Sequence, residues 1–371
     1  MNILRRLPLS RLLLLSGLVV VIGISATALA SAIDSGPTPP AKPLAVAVHD
    51  ALSAPSVQGV SATVQLTDHL LEGASLASGG GGEAGQLAAS PLLSGASGRL
   101  WIANDGRVRL ELQAEKGDTQ ILYDGHQVSL YDASTNTLYR YTLPAQPSGS
   151  PAPGSGTPAG HHEPPTVAKI EEAISHLSRH ANVSGATPTD IAGQAAYTVR
   201  VSPNESGSLF GGAELSFDAV HGVPLRAAVY SSTTSSPVLE LAASKVSYGP
   251  IDGSVFNLST PADAKVTEVN GPSGSPATPS GPSTGSSGHP QVTTHGHGVT
   301  AVAVIESTTS QGAKSSLNLP ESLQKVKING VTASELPTAL GTLLSFERSG
   351  VRYLLVGSVT PAAIEAVARG L

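Results

Sequence analysis

The chain has 371 residues, of which 40 are glycine and 28 are proline, and its formal net charge is −6 at pH 7. This length suffices for two domains of ordinary size, although the clustering of glycine and proline predicts that part of it does not fold. The absence of cysteine excludes disulfides, thiolate catalysis, cysteine-ligated zinc, iron–sulfur clusters and a lipid-modified N-terminal cysteine. Charged residues make up only 13 % and form no basic patch with interleaved aromatics, so no nucleic-acid partner is expected.

Residues 1–30 have the pattern of a signal peptide or N-terminal anchor. Arginines near the start precede an apolar run at 12–30, and Ala28-Leu29-Ala30 fits a small-residue cleavage site. The alternative is an uncleaved anchor in the cytoplasmic membrane, since the run is nearly long enough to cross a bilayer core of ~30 Å. Both interpretations predict an exported protein, either periplasmic, in the cell envelope or secreted.

The next part of the chain alternates between structured and low-complexity segments. A proline-rich spacer is predicted at 31–43 and a short helix at 44–52. In 57–71 every second residue is apolar, which predicts a half-buried strand. Residues 73–97 contain four consecutive glycines and are predicted to form a flexible insert.

Residues 98–143 predict an antiparallel meander of four short strands. Apolar and polar residues alternate on both sides of a turn at 104–106, and further turns are expected at 124–125 and 132–136. The meander has one apolar face and no plausible catalytic group. A continuous apolar face of this kind predicts that the sheet covers either a ligand or a helix of the protein itself. A low-complexity insert follows at 144–165.

The second half begins with an amphipathic helix predicted at 167–180, which Thr166 can cap. A Gly/Ser/Pro linker is predicted at 267–298, and a small α+β domain at 299–371. That domain is expected to end in a helix that begins at Pro361. Strands are predicted at 195–201, 213–219, 225–230, 238–248, 299–305, 326–330, 343–348 and 351–357.

The order of helix, long strand, meander, helix and further strands over 44–266 resembles the LolA/LolB family of periplasmic lipoprotein carriers. That resemblance implies an α+β fold in which an antiparallel incomplete β-barrel, closed by helices, holds acyl chains. It also implies a pocket-gating arginine, for which Arg99, Arg107 and Arg109 are candidates. The motifs that carry the resemblance are GVSATVQL at 59–66, the strand–turn–strand pattern at 98–109, Tyr123-Asp124-Gly125 with Tyr131-Asp132, the strand at 138–143 and the hairpin at 213–229.

The C-terminal segment 350–371, GVRYLLVGSVTPAAIEAVARGL, is similar to the end of the MucB/RseB family of sigma-factor regulators. That family pairs a LolA-like domain with a small C-terminal domain. The resemblance implies an alternative function, in which the protein binds a membrane anti-sigma factor in envelope-stress signalling.

We expect non-enzymatic binding or transport of a lipid or lipoprotein acyl chain in an apolar half-barrel cavity. The alternative is an ordinary core, because any sheet beneath a helix needs an apolar face. The small number of Phe and Trp residues, 4 and 1, favours an incompletely filled container. The residues expected to line the pocket are Val64, Leu66, Leu100, Ile102, Val108, Leu110, Leu112, Val128, Leu130, Leu215, Phe217, Leu225 and Val229. The helix lid is expected to present Ile170, Ile174 and Leu177.

Other candidate groups have simpler interpretations. The histidines at 161–162 and 295–297 lie in predicted linker, where nothing fixes a ligand geometry, so neither a metal nor another cofactor is expected. Trp101 is interpreted as core packing or as part of a ligand mouth. The tyrosines at 123, 131, 139 and 141 are interpreted as cross-strand packing or as a pocket rim. Neither a Gly-x-Ser-x-Gly elbow in a structured segment nor a carboxylate pair on a shared face is present, so no enzyme is expected.

Overall fold

The computed structural model describes residues 36–71, 95–114, 117–143, 164–268, 291–308 and 323–371. Within these ranges the chain forms a large sheet of 13 strands, a small sheet of 6 strands and few helices. A sheet-rich fold with a large antiparallel sheet is therefore confirmed. The predicted signal peptide or anchor at 1–30 and most of both predicted inserts lie outside the described residues. No helix in the described ranges is long and apolar enough to cross a membrane.

The large sheet contains all strands up to residue 268. They are β1 (Gly59–Asp68), β2 (Ala96–Ala103), β3 (Val108–Ala114), β4 (Gly117–Tyr123), β5 (Gln127–Asp132), β6 (Thr137–Thr142), β7 (Ala181–Val183), β8 (Thr187–Ile191), β9 (Gln194–Pro203), β10 (Phe210–Asp218), β11 (Pro224–Ser231), β12 (Pro237–Tyr248) and β13 (Lys265–Glu268).

The strand order makes β1 the central strand of the large sheet. It runs β13-β6-β5-β4-β3-β2-β1-β12-β11-β10-β9-β7, with β8 also paired to β9. All neighbours are antiparallel except β13 and β6. In the described part of the chain the edge strands β13 and β7 do not pair, so the sheet is open.

The predicted meander has five strands, β2 to β6, instead of the four expected. The unexpected division falls between β3 and β4, and the sequence from Ala114 to Gly117 contains none of the Asn-Gly or Asp-Gly pairs that mark tight turns. The expected turn at 124–125 is confirmed. Gly125 has a φ of +104°, and the Asp124 carboxylate accepts hydrogen bonds from the backbone N–H groups of His126 and Gln127 at 2.9 and 2.7 Å.

Helices α1 (Leu44–Ser53) and α2 (Val167–Leu177) lie against each other, and His49 Nδ1 is 3.0 Å from the Pro165 carbonyl oxygen. Thr166 caps α2 as predicted, because its hydroxyl accepts a hydrogen bond from Lys169 N–H. The helix ends at Leu177 and not at residue 180, since the chain turns into β7.

The small sheet is antiparallel and has the order β14-β15-β19-β18-β17-β16. Helix α3 (Pro361–Arg369) covers one of its faces, where Ile364 and Ala368 pack against buried Leu344 and Leu355. Thr360 precedes α3 as predicted, but its side chain makes no capping hydrogen bond. The strands are β14 (Gln291–His295), β15 (Val302–Thr308), β16 (Gln324–Ile328), β17 (Val331–Thr338), β18 (Gly341–Arg348) and β19 (Val351–Gly357).

Two parts of this region differ from the sequence-based expectation. Strand β14 lies within the interval 267–298 that was expected to be linker, and all of its residues are exposed. A short exposed strand surrounded by Gly, Ser and Pro gives little hydrophobic pattern, which explains the difference. Strand β17 was not anticipated, because Pro337 and Glu335 interrupt its apolar alternation.

Hydrogen bonds of residues 208, 209 and 339 are among those that join the two sheets. Leu209 N–H donates to the Ser358 carbonyl at 2.7 Å, and the Ser208 hydroxyl donates to the same oxygen at 2.9 Å. On the other side, Ala339 N–H donates to the Leu70 carbonyl at 2.9 Å. Both connections therefore use backbone groups at strand ends.

Candidate ligand-binding face

The strand register places the residues predicted to line a pocket on one face of the large sheet, which we call the apolar face. Cross-strand neighbours share a face. One row of neighbours runs across six strands through Ala62, Leu100, Leu110, Ile121, Leu130 and Tyr139. On one side of it, a second row contains Val60, Ile102, Val108, Tyr123, Val128 and Tyr141. On the other side, a third row contains Val64, Gly98 and Leu112.

The apolar face continues across β12, β11, β10 and β9. Leu66 pairs with Leu241, which is followed by Ala227, Leu215 and Val199 in the same row. Further rows pair Val229 with Leu239 and with Ala213, and Phe217 with Tyr197. Leu225 lies at a bulge opposite Phe217. The face therefore spans nearly the whole sheet.

Burial divides the apolar face into three regions. At its centre Val64, Leu66, Leu110, Leu112 and Val229 are buried together, with Leu100 packed against them. At the β9–β10 end, Phe217 and Leu215 pack under Ala47 of helix α1. Towards β5 and β6 the side chains of Ile102, Val108, Val128 and Leu130 are only half-buried. The half-buried region is the part of the apolar face that keeps some of its surface in solvent.

The expected helix lid is only partly in contact with the sheet. Ile170 is buried, Ile174 is half-buried, and Leu177 is 43 % exposed. Helix α2 packs mainly on α1, and α1 is the helix that covers the sheet. The sequence assigned the lid to α2 because its apolar stripe is long, whereas small Ala47 and Ala51 allow α1 to approach β9 and β10 closely.

The opposite face of the meander is covered by the segment after β12. Trp101, Leu122 and Ala103 pack there against Phe256, which ends a short 3-10 helix. Trp101 therefore points away from the apolar face, and its interpretation as core packing agrees with this position.

The arginines considered for pocket gating do not lie on the apolar face. Arg99 and Arg109 alternate with Leu100 and Leu110, so they project from the other side of the sheet. Arg109 donates from Nη1 to the carbonyls of Val255 and Asn257 at 2.6 and 3.0 Å. Its role in this structure is to hold the segment that covers the meander.

A half-buried ion network occupies the opposite face of β9 to β12. Arg226 donates to Glu214 at 2.8 Å, to Glu240 at 2.7 Å and to the Tyr230 hydroxyl at 3.2 Å. Arg200 lies over the Tyr230 ring at 4.1 Å from its centroid and pairs with Glu214 at 3.2 Å. The network ties four strands together and leaves no acidic group free to act on a substrate.

The two carboxyls of this network titrate differently. Burial tends to raise the pKa of Glu214, but hydrogen bonds from Arg226 and Tyr230 outweigh it and hold that pKa below its ordinary value. Burial also raises the pKa of Glu240, and the attraction of Arg226 does not fully offset it. The pKa values of the two carboxyls are therefore shifted in opposite directions within one network.

A second polar cluster fixes the turn between β10 and β11. Asp218 is 2 % exposed and accepts hydrogen bonds from the backbone N–H groups of Val220 and His221, both at 2.7 Å. The Tyr248 hydroxyl donates to its other oxygen at 2.7 Å. Burial tends to raise the pKa of Asp218, and these hydrogen bonds bring it below its ordinary value. All its interactions shape the turn, so the cluster is structural.

Asp68 lies where β1 leaves the centre of the apolar face. Burial raises the pKa of Asp68 to about 6, although a hydrogen bond from Leu70 N–H acts in the opposite direction. Because the pKa is raised in the folded state, the stability that protonation provides is fully present below the ordinary value of 3.8 and is lost as the pH rises through about 6.

We therefore expect Asp68→Asn to stabilise the protein by about 1–2 kcal/mol at pH 8 and by almost nothing at pH 4. The amide keeps the acceptor for Leu70 N–H and removes the buried charge. Urea unfolding at the two pH values measures the difference, with exposed Asp118→Asn as the control. An equal effect of Asp68→Asn at both pH values would show that the carboxyl titrates normally.

Of two cavities in the described part of the chain, one lies beside the small sheet and one beside the large sheet. The first, about 360 Å³, is lined by Leu340, Leu343, Val356 and neighbouring residues of the small sheet. The second, about 430 Å³, lies beside the loop 205–208 and is lined largely by hydroxyl-bearing residues and Arg200. Both are distinct from the half-buried part of the apolar face.

Metal-binding geometry is not found among the described residues, where no group of three or more His, Asp or Glu side chains could hold an ion. His295 and His297 are exposed, and His297 Nδ1 lies 4.0 Å from Glu205. The other histidine pair, at 161–162, lies outside the described residues.

Comparisons with known proteins give structural neighbours only. No family model matches the chain. No curated protein matches it either.

Solved structures that the chain resembles include MucB proteins and LolA-superfamily proteins, the two groups that its sequence motifs resemble. The MucA/MucB complex of Pseudomonas aeruginosa is 16 % identical, with 87 % of this chain and 95 % of that chain covered and a TM-score of 0.43. A structure of MucB in complex with the periplasmic part of MucA has 16 % identity, coverage of 88 % and 94 %, and a TM-score of 0.42. A LolA-superfamily protein from Nitrosomonas europaea has 9 % identity, coverage of 85 % and 91 %, and a TM-score of 0.20.

Proposed function

We propose that the apolar face of the large sheet binds a lipid or the acyl chain of a lipoprotein in the cell envelope, without catalysing a reaction. The observation that carries the proposal is the strand register, which aligns apolar side chains of nine neighbouring strands on one face of the sheet. In spatial order these strands are β5-β4-β3-β2-β1-β12-β11-β10-β9. Each buried methylene contributes ~0.8 kcal/mol, so even a partial groove gives useful affinity for an acyl chain.

The half-buried region near β5 is the proposed contact for the chain. Ile102, Val108, Val128 and Leu130 share the face and keep part of their surface in solvent. A ligand that covers them removes this surface from water and stabilises the complex by ~25 cal/mol per Å². The proposal includes three further predictions. The domains extend over 44–266 and 299–371, helices close an incomplete barrel, and residues 1–30 direct export.

The proposal is tested by extracting the purified full chain with organic solvent and identifying co-purified lipids by mass spectrometry. Uptake of a fluorescent palmitic acid derivative provides a direct titration. We expect saturable uptake of the derivative. Repeated absence of lipid in the extract together with no uptake would contradict the proposal.

Leu130→Gln is expected to weaken binding of the fluorescent derivative by about tenfold or more. Leu130 lies in the half-buried region, and a fully covered leucine side chain contributes ~1.5–3 kcal/mol. The matched control is Val266→Gln, because Val266 is 49 % exposed on β13 and pairs with Leu138 on the opposite face. Equal affinity in the two variants would place the ligand elsewhere.

The second candidate function is binding of the extracytoplasmic part of a membrane anti-sigma factor. It is favoured by the segment 350–371, which was similar to the MucB/RseB C-terminus and folds as strand β19 followed by helix α3. The named complexes among the structural neighbours contain MucA bound to MucB. A neighbouring gene pair for a sigma factor and its anti-sigma factor, followed by a pull-down with the latter, tests this alternative.

A further inference from the structure

The turn between β17 and β18 has an unusual sequence. Ala339 and Leu340 form its two-residue tip, whereas tight hairpin turns normally carry Asn, Asp or Gly there. The Thr338 hydroxyl stabilises the turn instead. It donates to the Gly341 carbonyl at 2.8 Å and accepts from the N–H groups of Leu340 and Gly341 at 3.3 and 3.1 Å. An apolar tip of this kind would be exposed on the small sheet alone.

In the whole protein this tip lies against the apolar face of the large sheet. Ala339 and Leu340 pack on the central cluster that contains Val64, Leu66 and Leu112. The hydrogen bond from Ala339 N–H to the Leu70 carbonyl, 2.9 Å long, holds the tip at the end of β1. The small sheet thus supplies a side chain to the core of the large sheet.

The tip is packed on one side only. Leu340 also borders the cavity of about 360 Å³, whose lining includes Leu343 and Val356 of the small sheet. A side chain beside an unfilled volume can move without displacing its other neighbours, and it has fewer dispersion contacts to lose. The contact with the large sheet is therefore the one that holds the tip in place.

We propose that the β17–β18 turn is an autoinhibitory plug, in which Leu340 occupies the central cluster of the apolar face and is displaced by an acyl chain that extends from the half-buried region into that cluster. This inference rests on the function proposed above, and it assigns a regulatory role to the small sheet. When a ligand must displace a bound group, its binding free energy is reduced by the free energy of the contact that is broken. Removing the plug should therefore tighten binding.

The test compares affinities for the fluorescent palmitic acid derivative in three full-length proteins: the unaltered chain, Leu340→Gln and Leu336→Gln. We expect Leu340→Gln to bind about tenfold more tightly, which corresponds to ~1.4 kcal/mol. Leu336→Gln is the matched control, since Leu336 is a half-buried leucine of the same strand pair that does not belong to the cluster on the large sheet. Its affinity should equal that of the unaltered chain.

A second measurement keeps the outcome decisive if Leu340→Gln fails to fold. The chain lacks cysteine, so Leu70→Cys with Ala339→Cys offers one disulfide that fixes the turn. The oxidised protein should bind the derivative about tenfold more weakly than the reduced protein. Equal affinity before and after reduction, or an unchanged affinity in Leu340→Gln, would overturn the plug while leaving the proposed function intact. Absence of binding in every form, including the unaltered chain, would overturn both.

Discussion

Replacing Arg226 with methionine is expected to destabilise the protein by up to about 3–5 kcal/mol, because Glu240 loses its cation and Glu214 keeps only Arg200. The side chains of Arg226, Glu214 and Glu240 are only 18, 17 and 15 % exposed. Methionine preserves most of the packing volume, so the loss reports the missing charge and its hydrogen bonds. Urea unfolding at pH 7 measures it.

The pH dependence of this loss has a definite sign. The pKa of Glu214 is held below its ordinary value of 4.5, so its contribution to stability is present above that value and is lost as the pH falls through the lowered pKa. The difference between the unaltered chain and Arg226→Met should therefore shrink as the pH approaches 4. A protonated carboxyl is neutral, so losing the Arg226 guanidinium then leaves no unpaired charge.

Two further variants separate the network from general effects. Arg140→Met is the matched control, since Arg140 is 41 % exposed and lies 3.9 Å from Glu268, and such surface pairs contribute at most ~1 kcal/mol. Adding Glu214→Gln and Glu240→Gln to Arg226→Met should recover part of the stability. A loss below about 1 kcal/mol in Arg226→Met would show that the carboxyls are hydrated and not dependent on Arg226.

The apolar face was predictable because alternation is a local property. Once Leu100, Leu110 and Leu130 alternate with polar residues along their strands, antiparallel pairing brings them into one row. Turns with Gly at a positive φ, such as Gly125, were equally readable. The sequence pattern thus determined which face is apolar before the strand order was known.

The features that the sequence did not reveal depend on contacts between distant segments. Nothing near Arg226 in the chain indicates that Glu214 and Glu240 will flank it, because the three residues lie on different strands. The sequence around Leu340 gives no sign of its position, since the partner of this turn, Leu70, lies some 270 residues away. Strand β8 (Thr187–Ile191) is short and polar, and its pairing with β9 gives no periodic signal.

The proposed plug also changes how the two sheets are expected to behave. If the tip at Leu340 is displaced, the connection through Leu70 opens while that at Ser208 and Ser358 persists. Ligand binding and the position of the small sheet are thereby coupled, and each must influence the other by the same free energy.

Glu335 is expected to make the small sheet less stable at neutral pH than at acid pH. It is 1 % exposed in β17, and its Oε1 atom has no hydrogen-bond partner. Burial raises its pKa above the ordinary value of 4.5, and the nearby carboxylate of Glu365 raises it further. The stability that the protonated form provides is therefore fully present below pH 4.5 and is lost as the pH rises through the raised pKa.

Glu335→Met should accordingly stabilise the small sheet by about 1–3 kcal/mol at pH 7, since an unpaired buried polar group carries a penalty of that size. Hydrogen exchange over 331–357, measured at pH 7 and pH 4, reports the local stability, and the gain should be small at pH 4. Glu347→Met on β18 is the control, because the Glu347 side chain is 51 % exposed and its pairing with Arg352 is a surface contact. Equal protection in Glu335→Met and the unaltered chain at pH 7 would mean that the carboxylate is solvated. A solvated Glu335 would in turn imply that helix α3 opens from the small sheet, which the same exchange data over 361–369 would reveal.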